Sequence, residues 1–365
     1  MKIGIMTFWW SNDNYGQLLQ CYALQKYLTD LGHKTFLIRY YPDTDIPYQS
    51  TKTIKKICKV FNPKKLYIFI KDRIKRIKIE KERKYNNRQF EIFRQKYIVQ
   101  TPILYYSLKE LQDNPPQADI YIVGSDQVWN YYCKFSNTLR AYFLDFGAEK
   151  SKRMSYAASW GRTAISDDEI HKITPLLKRF DYVSVREING IELCKKCGFH
   201  SAEWVCDPTL LLSAAAYRIL YNDNTIRKIE KKYLLLYLLG NECDFNTKNV
   251  YNFAKKKKLE VIFVTGNDLT DRHKKFFATI PEWLYLIDNA EYVITNSFHC
   301  GVFSTIFHKQ FGIVPLTGKD AGMNIRFSSL FQIREIEERF ITNNDFGILE
   351  KRYTPKEIKS SFLVR

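Results

Sequence analysis

No stretch of this chain approaches the roughly 20 consecutive apolar residues that a membrane-spanning helix needs, so the sequence predicts no span. Met1–Trp10 is too short for an apolar targeting core and reads instead as a strand. No glycine-rich loop ends in Gly-Lys-Ser or Gly-Lys-Thr, and no Gly-x-Gly-x-x-Gly follows the first strand. The phosphate cradles of the P-loop and dinucleotide enzymes are therefore not expected. Gly-x-Ser-x-Gly and His-Glu-x-x-His are missing as well, and the acidic residues form no evident metal cluster. Neither a metal nor an organic cofactor is expected. The eight cysteines scatter over 21, 58, 133, 194, 197, 206, 243 and 300. Cys194 and Cys197 form a lone CxxC without a second pair or a histidine at ligand spacing, which argues against zinc or redox chemistry and for reduced thiols in a cytoplasmic protein.

Acidic residues are scarce: 39 Asp and Glu stand against 57 Lys and Arg, a net charge of +18. Most of the excess is local, because residues 52–96 hold seventeen Lys and Arg against four acids. Ile70, Ile74 and Ile77, then Phe90, Phe93 and Tyr97, recur there at helical spacing, so 52–96 reads as a basic amphipathic helical insertion. Two uses stand open: a solvated face packed on its domain, or docking on an anionic membrane surface. Nucleic acid is not expected, since no recognised module accompanies the charge.

The chain of 365 residues is 45% hydrophobic and 15% aromatic, enough for two cored domains. The first forty residues read β-α-β, with strands at Ile3–Phe8 and Thr35–Tyr40 and a helix over Gln17–Leu31. Two doubly wound α/β units follow from the alternation of elements. Residues 1–212 form the first, on the acceptor side. Residues 213–232 connect to the second, 233–340, on the donor side, and 341–365 is a charged helical tail. The fold class is α/β: two Rossmann-like domains in a GT-B-like arrangement, with the cleft lined by strand C-termini.

Candidate site residues are the polar side chains expected at those strand ends. The strand Tyr292–Ile294 runs through a short turn into a helix, and a helix start offers unpaired N–H groups and a positive dipole end to an anion. Ser297 and His299 sit there, as ligands of an anion or as a cap and an ordinary histidine; Asn296 precedes them. Arg186 ends a strand, where its fork could grip a multi-oxygen anion or pair with a neighbouring acid. Asp126 could be a base or a turn residue. Trp129 could stack on a sugar or pack in the core. Asn14 and Gly16 follow the first strand; Ser125, Gln127 and Asn130 flank Asp126. Arg326 opens a late helix and could be a second cation at the cleft or a solvated side chain.

Asn14-Tyr15-Gly16, Gly124-Ser125-Asp126-Gln127-Val128-Trp129-Asn130, Ser155-Tyr156-Ala157-Ala158-Ser159, Ser184-Val185-Arg186-Glu187, Asp207-Pro208-Thr209 and Thr295-Asn296-Ser297-Phe298-His299 occur in this order. Together they resemble the polysaccharide pyruvyl transferase family over about 1–340. The resemblance implies a GT-B-like fold and transfer of a pyruvyl group from phosphoenolpyruvate to two hydroxyls of a sugar, closing a ketal in a cell-surface polysaccharide such as capsule, or in its lipid-linked precursor. It implies an arginine at 186 and a histidine at 299 near the donor. One departure is Cys300, where the family usually has glycine after the histidine; a side chain there could crowd a close backbone approach to the anion.

The reading assigns catalysis to His299, Arg186 and Asp126. It assigns substrate binding to Asn14, Gly16, Ser125, Gln127, Trp129, Asn130, Asn296, Ser297 and Arg326. The expected partners are phosphoenolpyruvate, a sugar or lipid-linked acceptor and an anionic membrane surface at 52–96, which would place the protein in the cytoplasm against the inner membrane face. The alternatives are a glycosyltransferase using a nucleotide sugar and a non-catalytic anion- or membrane-binding protein.

Overall fold

The structure is a computed structural model and describes residues 1–42, 73, 86–130, 136–222, 226–240, 243–266, 274–343 and 345–363. Most of the basic 52–96 segment lies outside the described residues. The first domain runs β1 (Lys2–Met6), α1 (Tyr15–Asp30), β2 (Lys34–Tyr40), α2 (Phe90–Tyr97), β3 (Gln100–Tyr105), α3 (Leu108–Asp113), β4 (Ile120–Val123), α4 (Asn137–Tyr142), β5 (Lys152–Ala158), α5 (Asp167–Leu177), β6 (Tyr182–Val185), α6 (Asn189–Lys196) and β7 (Glu203–Trp204). Its seven strands are ordered β3-β2-β1-β4-β5-β6-β7, each pair parallel. After α7 (Ala214–Arg218) the second domain runs β8 (Tyr233–Leu238), α8 (Thr247–Lys256), β9 (Glu260–Thr265), α9 (Ile280–Asp288), β10 (Tyr292–Thr295), α10 (Phe298–Ile306), β11 (Gln310–Ile313), α11 (Ile325–Arg334) and α12 (Gly347–Glu350). Its sheet is parallel and ordered β11-β10-β8-β9.

Tyr233-Leu-Leu-Leu-Tyr-Leu238 is buried at every position, as a parallel strand covered on both faces must be. Strand order reverses between β1 and β4 in the first sheet and between β8 and β10 in the second. Ligands of doubly wound sheets sit at such switch points, beyond the strand C-termini. The loops after β1, β4, β8 and β10 therefore define the cleft of this GT-B-like arrangement.

Two helices are wrapped on all sides. α10 is buried at all nine positions and α1 at nearly every residue from Tyr15 to Gln25. The sequence predicts a helix over Gln17–Leu31, and the structure packs this helix, α1, into one apolar cluster with residues of the second domain. Tyr15 stacks on Trp283, rings 5.0 Å apart and 3° from parallel, and donates its hydroxyl to the Ala278 carbonyl. One apolar cluster runs through Tyr15, Tyr217, Tyr237, Trp283 and Phe303, and so crosses from one domain to the other.

The charged tail differs from its expectation. Among its described residues only Gly347–Glu350 is α-helical, with a 3-10 turn at Ser360–Phe362. Pro355 and the lack of an apolar stripe favour an extended strap. It ends on the first domain, where Cys206 donates its backbone N–H to the Phe362 carbonyl and the Phe362 ring meets Trp204 at 4.9 Å. No helix among the described residues is long and apolar enough to cross a membrane.

Candidate functional site

Asp207 follows β7 and opens a 3-10 turn at Pro208–Leu211. Its Oδ1 accepts from the Thr209 N–H (3.0 Å) and hydroxyl (2.6 Å), which fixes the carboxylate. Its Oδ2 then faces three donors: Ser125 Oγ at 2.8 Å, Arg186 Nη1 at 3.0 Å and, from the other domain, His299 Nε2 at 3.5 Å. Burial alone would raise the Asp207 carboxyl, but the His299 imidazole, the Arg186 guanidinium and the Thr209 bond hold it well below the usual carboxylate range.

Arg186 is 2% exposed. Its Nε donates to Glu187 Oε1 at 3.1 Å and its Nη1 also to Ser125 at 3.2 Å. Burial disfavours its charge, yet Glu187, Asp207 and Asp126 outweigh that and raise its proton affinity. Its Nη2 is buried with no hydrogen-bond partner, and so is Glu187 Oε2; His299 Nε2 has Asp207 Oδ2 as an ion-pair contact at 3.5 Å. Buried polar atoms are nearly always paired. Two orphans on adjacent residues mark a place where the fold leaves a donor and an acceptor for something else.

His299 enters at the start of α10, beyond the Ser297 cap, whose Oγ accepts from the Cys300 N–H at 3.4 Å. It packs on the start of α1: a Cβ built on Gly16 would lie 2.2 Å from His299 Nδ1. A glycine is required there by contact. The ring of Phe298 carries two guanidinium groups, Arg186 at 4.7 Å and Arg326 at 5.8 Å. Arg326 is 9% exposed and donates to the Met323 carbonyl, so it is a buried cation at the cleft and no solvated side chain. Arg186, His299 and Arg326 thus come together, with Ser125 and Gly16 against them.

Other expected site residues have structural work. Trp129 is fully buried, stacked 5.1 Å from Phe143 and 5° from parallel, with its indole N–H on the Tyr142 carbonyl. It lines no cleft; the apolar layer behind β4 claims it. Asn296 uses its whole amide on Leu239, accepting from N at 2.7 Å and donating to O at 3.1 Å, and so staples the two loops at the second switch point. Asn14 caps α1 through the Gln17 N–H. Asn130 donates to Gln127 Oε1 at 2.7 Å. Asp126 sits in the left-handed region at φ 76°, its carboxylate taking the Gln127 N–H at 2.8 Å, and its charge acts on Arg186. Cys300 is fully buried in the apolar cluster, which pushes its thiol up to about 12. Its side chain packs within that cluster.

Sequence reasoning did not single out Asp207 and Glu187. Asp-Pro reads as an ordinary turn, and Glu187 as the salt-bridge neighbour of Arg186. The faint signal was adjacency of an acid to an arginine at a strand end. No group of three or more His, Cys, Asp or Glu among the described residues is arranged to hold a metal.

Comparison with known proteins bears on this arrangement. Two solved structures of the UDP-GlcNAc 2-epimerase of Methanocaldococcus jannaschii superpose on nearly the whole chain. The one in complex with UDP-GlcNAc and UDP has a TM-score of 0.51 at 12% identity, covering 99% of this chain and 97% of that one. The second has a TM-score of 0.52 at 13% identity, covering 99% and 96%. At such identity the likeness is one of fold. No curated protein matches the sequence. A family model does: polysaccharide pyruvyl transferase, over residues 14–315. The matched span takes in the start of α1, the Asp126 turn, Arg186, Asp207 and His299, and with it the chain belongs to the polysaccharide pyruvyl transferase family.

Proposed function

We propose that this protein transfers a pyruvyl group from phosphoenolpyruvate to two hydroxyls of a sugar, in a cell-surface polysaccharide or its lipid-linked precursor. The observation that carries the reading is the meeting of Arg186 and His299, one from each domain, on a single oxygen of Asp207, with Arg186 Nη2 buried and unpartnered beside them. Phosphoenolpyruvate has a carboxylate and a phosphate, each suited to a guanidinium, and Arg186 and Arg326 share one ring. His299 delivers a proton to the methylene carbon, leaving an oxocarbenium-like carbon that the first sugar hydroxyl attacks. Phosphate departs, and the second hydroxyl closes the ketal, its proton leaving with the phosphate. Asp126 takes a hydroxyl proton. Asp207 holds Arg186 and His299 in place and itself transfers nothing.

Calorimetry with phosphoenolpyruvate and with UDP- and GDP-sugars tests the donor. Phosphoenolpyruvate alone should bind, and Arg186→Lys should weaken it because the fork is lost. Binding of a nucleotide sugar in its place would move the assignment to a glycosyltransferase. Mass spectrometry of surface glycan from a deletion strain should lack one pyruvyl ketal. The basic segment is proposed to hold the protein at the inner membrane face: vesicles containing anionic lipid should bind it, and deleting 52–85 should reduce that binding more than turnover of a soluble acceptor.

A further inference from the structure

A cavity of about 840 Å³ opens between the domains. One wall is α2 and the residues leading into it; the other is 274–282 of the second domain, with Arg227 of the connecting segment between. Lys96, Lys274, Lys275 and Arg227 line it against a single acid, Glu282. That acid is consumed: Arg227 grips it at 2.7 and 2.9 Å, and Glu282 also closes the capping box of α9 with Thr279. The lining is therefore cationic, whatever local contacts the lysines make. Phe276, half-buried, presents a ring stacked under Arg227 at 4.1 Å. Asn86, Asn87 and Gln89 supply amides. Behind the wall, the buried Arg88 guanidinium touches both Phe277 (5.2 Å) and Tyr15 (5.9 Å), and the next residue is Gly16, on which His299 rests. Arg88 and Tyr15 thus stand between the cavity wall and the proposed site.

Cations select anions; aromatic rings and amides suit the CH faces and hydroxyls of sugars. The volume is that of a binding site for several sugar units or a drug-sized ligand. We propose that this cavity binds an acidic oligosaccharide, the phosphate- or carboxylate-bearing part of the acceptor chain beyond the sugar that receives the pyruvyl group. The ligand class is new here, and its place as acceptor rests on the function proposed above. Calorimetry on the full chain with three probes tests it: a sulfated hexasaccharide, neutral maltohexaose and inorganic pyrophosphate. The sulfated hexasaccharide should bind tightest. Lys274→Gln with Lys275→Gln should weaken it about tenfold, the weight of two exposed ion pairs, whereas Lys172→Gln with Lys195→Gln, remote and equal in charge, should not. Phe276→Ala should weaken the hexasaccharide and leave pyrophosphate unchanged. Equal loss in both lysine pairs, or pyrophosphate binding as tightly as the hexasaccharide, would overturn the assignment to this cavity or to a saccharide. Phosphoenolpyruvate binding to the Lys274/Lys275 variant should match the parent. Failure of phosphoenolpyruvate to bind at all defeats the donor reading and leaves the cavity's result intact.

Discussion

Arg186, Asp207 and His299 form a unit whose members cannot be removed independently. Taking the charge from one partner of a buried ion pair strands the other, at about 3–5 kcal/mol. Asp207→Asn should destabilise the chain by roughly that amount in urea unfolding, because Arg186 is 2% exposed and keeps only Glu187. The pH dependence follows from the direction of the shift. The Asp207 carboxyl is depressed in the folded chain, so the unfolded chain takes up the proton first, around the ordinary 3.8. Its stabilisation is present above that value and declines as the pH falls below it. The parent should lose unfolding free energy below pH 4 more steeply than Asp207→Asn. Gly16→Ala tests a different contact: the new methyl must displace the His299 ring. A shift of an ångström in a catalytic group costs about 100-fold in rate, so phosphate release from phosphoenolpyruvate should fall by that order while the far-ultraviolet circular dichroism keeps its shape. At this scale the sequence made Arg186 and His299 legible, because strand ends and helix starts are positions where polar side chains face a cleft. Trp129 was ambiguous because an indole stacks equally well on a sugar or on Phe143, and only the packing behind β4 decides. Asp207 stayed hidden because its partners lie 82, 21 and 92 residues away in sequence.

At the level of elements, local chemistry carried far. Ser166 and Glu169 form the full capping box of α5, with Arg162 on the same glutamate. Ser107 and Glu110 form half of one: Ser107 caps α3, but Glu110 reaches back to the Tyr106 N–H. Ser166→Ala should cost about 1 kcal/mol of stability and leave turnover unchanged, since α5 touches no proposed site residue; thermal unfolding and phosphate release measured on one preparation check both. The strand β10 was readable from an apolar run bounded by a turn. The tail was not, because charge without an apolar period says only that a segment is solvated, and its anchoring through Phe362 depends on a surface that another domain supplies.

For the whole molecule, domain pairing rests on an aromatic seam. Tyr15 meets Phe90, Tyr237 and Trp283 within 5.7 Å, and Trp283 meets Phe303 at 5.5 Å. Trp283→Ala should cost about 3–5 kcal/mol, as large-to-small core changes do, and should lower turnover as well, because α1 loses the support that presses Gly16 on His299. The two-domain architecture was visible in the alternation of strands and helices, yet the seam was not: Tyr15 and Trp283 are far apart in the chain, and each alone is an unremarkable core aromatic.

The returning strap has a mechanical consequence. Polypeptide passes between the lobes twice, once outward near 213–232 and once back to Trp204, whose indole N–H holds the Arg186 carbonyl. A single covalent crossing permits swivelling about its own axis; two permit only bending about the line that joins them. Phe362→Ala cuts the second tether while leaving every cleft residue in place, so it should broaden the lobe-to-lobe distance distribution in spin-label measurements and raise KM for phosphoenolpyruvate more than it lowers Tm.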